Sequence, residues 1–341
     1  MGTPISLLTI GKAACSPRQK LPAENNPLGT FMPPSHQGPG LQSLILAHFS
    51  DIHVSARGSW TASDFFSKRL TGWVNWHWFG RGGRFDKAPR ILRALRTDLE
   101  ENPVDRLVFS GDATALGFQG EFAEAAKLLG LGEAKTPPGL AVPGNHDAYT
   151  RKSQKLQLFE KCFSHWQEGL RIGEHTYPFA QAAGPAWIIG VNSSTANVFP
   201  WDSRGRVGRE QLDRLEKLLN SLAPGPRVLV THYPAILPSG KGERLHRMLR
   251  DWRALVELVG GKISFWLHGH RHDSFLIPPS KNLPFPILCA GSATQKGHGS
   301  YFRLTLQGNR LGVERRQFQP ELEKFLPVQE FQLEIPVAFA P

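Results

Sequence analysis

Five stretches of the chain carry residue types that together could bind metal ions. They are Asp51-Ile52-His53, Gly111-Asp112, Gly144-Asn145-His146-Asp147, His232, and His268-Gly269-His270-Arg271-His272. Carboxylate, imidazole and amide oxygen in one place suit Mn, Fe or Zn, rather than Ca or a thiolate site. So many such groups exceed what one ion takes, whereas two ions sharing a carboxylate could use seven of them. Two cations about 3.5–4 Å apart can clamp the attacking and leaving oxygens of a phosphoester, and a hydroxide between them is a nucleophile near neutral pH. Taken singly, each stretch is weak. A lone DxH or GD arises by chance, an isolated loop histidine is more often a surface residue, and HGHRH alone could be a charged turn. Taken together they are not, because each directly follows an apolar run.

Those runs predict the elements that position the site. "LILAHF" (44–49), "RLVFS" (106–110), "LAV" (140–142), "AWIIGVN" (186–192), "RVLVT" (227–231), "ISFWL" (263–267) and "PILCA" (286–290) read as buried strands. Apolar residues at helical spacing predict helices over 88–101, 118–129, 152–166, 209–222 and 243–259. "YFRLTL" and "LGVERRQF", joined by Gln307-Gly308-Asn309-Arg310, predict a hairpin. Strands alternating with helices make an α/β domain, and such sheets hold ligands beyond the carboxyl ends of their strands. Five strands would thus deliver the five stretches to one rim. Glycines 111, 144 and 269 allow the tight turns and close backbone approach this requires.

In order, "SDIHV", "GDAT", "VPGNHD", "THYP" and "HGHRHD" resemble the motifs of the calcineurin-like metallophosphoesterases, in the bacterial-type phosphodiesterase and pyrophosphatase branch. "RGRVGREQLDRLEKLL" is similar to the helix before the family's histidine. The resemblance covers about 44–318. It implies a four-layer αββα sandwich of two mixed β-sheets flanked by helices, called α+β in some schemes. It implies two divalent or trivalent ions, of Mn, Fe or Zn. Asp51, His53 and His272 would hold the first, Asn145, His232 and His270 the second, and Asp112 would bridge. Asn145 would also touch the phosphate, and His146 would give a proton to the leaving oxygen or stabilise the transition state. For Asp147 loop orientation is as good a reading as catalysis, and His268 reads as structural. One departure stands out: the acid many members carry three residues after the bridging Asp is here Ala115, which leaves the orientation of His146 open. The family fixes hydrolysis by a metal-bridging hydroxide, but not whether the substrate is a phosphodiester, phosphomonoester or pyrophosphate. The narrower readings are a UDP-2,3-diacylglucosamine pyrophosphatase of lipid A synthesis, a cyclic-nucleotide phosphodiesterase, and, from another class, a non-catalytic metal-binding interaction module.

The domain is expected over 43–320, between a disordered leader (1–42) and a C-terminal tail (321–341). The 341 residues carry a net charge of +11, which attracts phosphorylated or anionic partners. No nucleic-acid motif accompanies the charge, so no specific nucleic-acid binding is expected. Cys15, Cys162 and Cys289 are too few and too scattered for a disulfide framework. No apolar run approaches the roughly 20 residues that span a bilayer. A cytoplasmic location is expected, with a peripheral placement on the inner membrane surface as its variant. That variant rests on an aromatic and basic insert at 55–86, between the first motif and the bridging Asp. "SKRLTGWVNWHWFGRGGR" (67–84) sets Leu70, Trp73, Val74 and Phe79 against Lys68, Arg69 and Arg81. It could face the metals, with Trp73, Trp76 and Arg81 on the substrate; it could lie on an anionic bilayer; or its tryptophans could cover the core. His77 lies within it and is not counted as a ligand.

Overall fold

The computed structural model describes residues 43–56, 60–281 and 283–337. The leader expected over 1–42 lies outside the described residues, as do 57–59 of the insert. Among the described residues, a six-stranded sheet contains β1 (Ser43–Phe49), β2 (Arg106–Phe109), β3 (Gly139–Ala141), β11 (Ser300–Gln307), β12 (Arg310–Gln319) and β13 (Lys324–Glu334), in the order β13-β12-β11-β1-β2-β3. A seven-stranded sheet contains β4 (Leu170–Arg171), β5 (Phe179–Ala183), β6 (Ala186–Gly190), β7 (Arg227–Val230), β8 (Phe265–His268), β9 (Phe275–Ile277) and β10 (Ile287–Cys289), in the order β4-β5-β6-β7-β8-β10-β9. Both sheets mix parallel and antiparallel pairs.

The strands alternate between two apolar environments, as the period of two requires. Leu44 and Leu46 of β1 point at the other sheet and meet Ile188, Val230 and Leu267 there. Ala47 and Phe49 point outward, onto Leu92 and Leu95 of α3 (Ala88–Glu101) and Phe122 of α4 (Gln119–Leu128). On the second sheet, Leu229 and Trp266 point outward to Leu215 and Leu218 of α7 (Arg209–Ser221) and to Leu255 of α8 (Trp252–Val259). The result is helix, sheet, sheet, helix: the four-layer sandwich expected from the motifs.

Three segments differ from expectation. The helix predicted over 152–166 is broken into α5 (Arg151–Lys155) and α6 (Leu158–Cys162), because Gln157 turns into left-handed backbone with φ 49°. The helix predicted over 243–259 exists only as α8. Its front half is irregular, held by an ion pair from Glu243 to Arg271 (2.7 Å) and a bridge from Leu249 to Gly205. Residues 324–334, left unassigned by pattern, form β13 because the long β12 offers them an edge to pair with.

The insert forms α1 (Ala62–Phe65), α2 (Lys68–Trp78) and a 3₁₀ turn, Gly82–Arg84. Arg69 does not lie on an outward cationic face as expected. It is buried, pairs with Asp64 at 2.7 Å and donates to the carbonyls of Leu116 and Gly117. Trp76 is buried too and stacks on Phe85, with 5.7 Å between centroids. Trp73 packs beside them with Trp60 and Phe118. These contacts fasten α2 to the rim of the sandwich.

Candidate metal centre

The ends of β1, β2, β3, β7 and β8 bring Asp51, Asp112, Asn145, His232, His270 and the adjacent His272 together, with His53. The loops reach this point through unusual backbone. Asp51, His53, Asp112, His270 and His272 all have positive φ, between 41° and 72°. That conformation costs a non-glycine residue of order 1–3 kcal/mol and persists where surrounding structure imposes it. Two glycines are needed for the approach: a Cβ on Gly144 would lie 2.1 Å from Asp112 Oδ1, and one on Gly269 would lie 1.9 Å from Ser50 Oγ.

The hydrogen bonds leave lone pairs facing one another. His53 Nδ1 donates to Thr114 O (3.2 Å) and His272 Nδ1 to Gln295 Oε1 (2.6 Å). Their Nε2 lone pairs are therefore free, and they sit 3.1 Å apart. Asp51 Oδ1, which is buried and has no hydrogen-bond partner, lies 3.3 Å from His272 Nε2 and 3.8 Å from His53 Nε2. On the other side, His232 Nδ1 donates to Ser110 O (2.8 Å), freeing Nε2. Asn145 Oδ1 is 3.2 Å from that Nε2 and 3.0 Å from His270 Nδ1. Asp112 Oδ2 stands between the groups, 3.7 Å from His53 Nε2 and 3.5 Å from His232 Nε2. Acceptors converging without protons between them repel unless a cation sits among them. The donor set, the free nitrogens and the orphaned carboxylate oxygen all fit divalent metal ions, with Asp112 placed to face two of them. The oriented Nδ1–H groups are the outer contacts that fix metal-binding histidines.

Electrostatics follow from burial. Desolvation, then Asp51 alongside, hold Asp112 well above the usual carboxylate range. Desolvation, then His272 and Arg81, hold His53 well below the usual histidine range, in the neutral form that coordinates. His270 is held low by burial and by His232.

His146 is 4.7 Å, ring to ring, from His53. Its Nδ1 donates to the backbone carbonyl of Ala115 at 2.6 Å, so the residue standing where an acid was expected orients the ring through its main chain. Its Nε2 accepts from Arg81 Nη2 at 2.7 Å. Arginine keeps its protons, so in this arrangement His146 Nε2 is an acceptor. Burial, then Arg81, hold the ring well below its ordinary range. Asp147 is occupied otherwise. Its carboxylate accepts from the backbone N–H of Asp112, Ala113, Thr114 and Gly144 at 2.8–3.2 Å and fixes the loop. His268 lies in β8, bonds its own loop at Gly269 O, and is outside the converging set. His77 is exposed and caps Trp73 O.

A cavity of about 860 Å³ opens above these residues. One wall comes from the insert: Lys68, Thr71, Asn75, Phe79 and Arg81 line it. Trp73 and Trp76 do not; they belong to the packed cluster on Leu116 and Tyr149, so of the three insert residues expected at substrate only Arg81 faces the cavity. Trp201, Ser203 and Arg247 also line it, and the motifs did not reveal them. Phe199 and Trp201 stack at 5.1 Å and stay exposed, as do Trp78 and Phe79.

A family model described as calcineurin-like phosphoesterase matches residues 44–274. Among solved structures, the chain is similar to a dimetal phosphatase from Danio rerio, with TM-score 0.57 and 11% identity, covering 86% of this chain and 99% of that one. It is similar to a purple acid phosphatase from yellow lupin (Lupinus luteus) seeds, with TM-score 0.54 and 15% identity, covering 86% of this chain and 54% of that one. At these identities the likeness shows the fold. No curated protein matches the chain. Among the described residues no helix is long and apolar enough to cross a membrane.

Proposed function

The chain belongs to the calcineurin-like phosphoesterase family, and from that premise we propose that it hydrolyses phosphoester or phosphoanhydride bonds with two metal ions. The observation carrying the proposal is the pair of lone-pair clusters with Asp112 Oδ2 between them, 3.7 and 3.5 Å from their histidines. Asp51, His53 and His272 would hold one ion, Asn145, His232 and His270 the other, and Mn, Fe or Zn suits the donors. When bound, such a pair polarises a phosphoryl oxygen and supplies a nucleophile at neutral pH. Arg81 has N–H donors beyond the one on His146, and these would meet the phosphoryl oxygens as negative charge builds on them. Phe85, packed edge-on to His53 at 4.6 Å, lines the same cavity. The test is turnover of bis(p-nitrophenyl) phosphate and p-nitrophenyl phosphate by protein reconstituted with Mn, Fe or Zn, with Asp112→Asn as control. Turnover by the wild type alone supports the reading. No turnover with any of these metals leaves a metal-binding interaction module.

A second reading concerns location and substrate. Phe79 and Trp201 line this cationic cavity, and they and their neighbours Trp78 and Phe199 are more than half exposed. Aromatic rings settle at the headgroup level of a bilayer, and Lys and Arg draw anionic lipid. This favours a lipid-linked substrate, of the UDP-diacyl-sugar kind, taken at a membrane surface over a cyclic nucleotide taken from solution. Co-sedimentation with phosphatidylglycerol vesicles tests it: Trp78→Ser/Phe79→Ser/Trp201→Ser should release the protein, and unchanged binding sinks the idea.

A further inference from the structure

The loop between β2 and α4 starts near Asp112, the carboxylate that stands between the two clusters, and ends at Phe118. Its backbone is gripped along its whole length. Asp147 takes the N–H groups of Asp112, Ala113 and Thr114. Ala115 N–H goes to the carbonyl of Val54 at 3.1 Å. Glu121 Oε2 takes the N–H groups of Leu116 (2.9 Å) and Phe118 (3.1 Å). All of those partners lie outside the insert. The carbonyls of Leu116 and Gly117 are different, because their donor comes from the insert. Arg69 Nε reaches Leu116 O at 3.1 Å, and Arg69 Nη2 reaches Gly117 O at 2.5 Å.

The same guanidinium makes two further contacts. Its Nη1 pairs with Asp64 Oδ1 at 2.7 Å, and its central carbon lies 4.2 Å from the centre of the Phe118 ring. Asp64 Oδ2 in turn accepts from Thr61 N (2.8 Å) and Thr61 Oγ1 (2.7 Å) at the start of α1. Arg69 is 4% exposed and Asp64 3%. A buried cation is costly unless it is paired and its remaining N–H groups are bonded. Both conditions are met here, by Asp64 for the charge and by the loop for the donors. A lysine would answer Asp64 with a point charge, but it has no planar fork for the two carbonyls.

The place of Arg69 in α2 connects this lock to the cavity. It lies in the first turn, next to Lys68. Lys68, Thr71 and Asn75 of that helix line the cavity, with Arg81 beyond its end. On the loop side, Ala115, Leu116 and Phe118 pack in one cluster with Trp76 and Tyr149. Fork and packing join one helix to one loop, and that loop begins at Asp112.

We propose that Arg69 is a positioning residue. It locks α2 to the 112–118 loop, so the insert is a fixed wall of the cavity and opens only together with that loop. The consequence for substrate rests on the hydrolase reading above. Loss of the fork displaces Lys68 and Arg81 and weakens substrate binding through them, not through any contact with Arg69.

Amide hydrogen exchange of the full chain with Mn in the buffer, read by mass spectrometry, tests the lock without turnover. Arg69 holds carbonyls, so the amides of Leu116 and Phe118 keep their own partner in every variant, and faster exchange there reports opening of the loop. Wild type is compared with Arg69→Lys, Arg69→Leu and Asp64→Asn, with Tm and Mn content recorded. Each Arg69 variant is expected to speed exchange about tenfold or more in both 70–79 and 113–118. Asp64→Asn keeps the fork on the carbonyls, so it should lower Tm and leave 113–118 within about threefold of wild type. Acceleration confined to the insert, or absent from both segments, overturns the proposal. So does an equal acceleration of 113–118 by Asp64→Asn, which would make the ion pair the lock. If Arg69→Leu fails to fold, Arg69→Lys gives the same reading. With bis(p-nitrophenyl) phosphate, Arg69→Lys should raise KM several-fold at unchanged Mn content, and an unchanged KM beside faster exchange overturns the role in positioning. Turnover with acceleration confined to the insert keeps the hydrolase and overturns the lock. Joint acceleration in a protein that turns nothing over keeps the lock and overturns the hydrolase.

Discussion

Arg81 is the residue through which the insert reaches the metal centre, so its removal is the sharpest perturbation. Its Nη2 lies 2.7 Å from His146 Nε2, a short contact from a charged donor. Removing one such donor from the site of developing charge costs about 2.7–4 kcal/mol, or roughly 10²–10³ in rate. Arg81→Ala is therefore expected to lower kcat/KM on bis(p-nitrophenyl) phosphate by about that factor, mostly in kcat. Arg81→Lys keeps the charge, loses the planar fork, and should fall in between. The fold should not suffer, because no acid among the described residues depends on this cation for its partner. If the two side chains act as one unit, Arg81→Ala/His146→Ala will lose less than the product of the single losses. Arg81→Ala within threefold of wild type at equal Mn content would refute the argument. So would a Tm drop of several degrees, which would make Arg81 a residue that holds the insert in place.

Further outcomes follow from packing and burial. Gly144→Ala places a Cβ 2.1 Å from Asp112 Oδ1 and 2.3 Å from Asp112 N, so Mn bound per chain, by elemental analysis, should fall; full occupancy counts against this loop geometry. Gly72→Ala places a Cβ 2.0 Å from Tyr149 Oη and should lift α2 off the rim, raising KM several-fold with metal content intact. Glu121 is pushed by burial from 4.5 to about 8 although it accepts from the N–H of Leu116 and Phe118. The folded carboxyl thus binds its proton more tightly than the unfolded one, so its contribution is whole below pH 4.5 and is lost as pH rises to about 8. Glu121→Gln should raise Tm at pH 9 and change it little at pH 5; the same change at both is the failing result.

What the sequence made legible was local. A metal-ligating residue placed straight after a buried strand is visible because the strand's apolar run and the polar turn adjoin in the chain, as in "LILAHF" and Asp51. The lining beyond the motifs and the insert was not local. Arg247 sits in 243–251, where apolar spacing suggested helix and the Glu243–Arg271 pair, made across 28 residues, decides otherwise. Trp201 and Phe199 lie in a loop whose pattern carries no period. Within the insert the residue types were plain but the rotation of α2 was not. Lys68 and Arg69 are adjacent, yet one lines the cavity and the other is buried against Asp64, Leu116 and Gly117. That rotation is set by Gly72 beneath Tyr149, a contact between segments far apart in sequence, and by Trp76 against Phe85.

Ala115 ties the insert to the chemistry. An acid at that position would accept the Nδ1 proton and, by its charge, favour an imidazolium able to donate from Nε2. The carbonyl of Ala115 accepts the same proton without a net charge, so it orients the ring and leaves it neutral. A neutral ring has a lone pair at Nε2, and the insert's Arg81 occupies it. The absent acid and the present arginine are therefore two halves of one arrangement. It sets a fixed cation against His146, in a cavity that Lys68 and Arg247 also line.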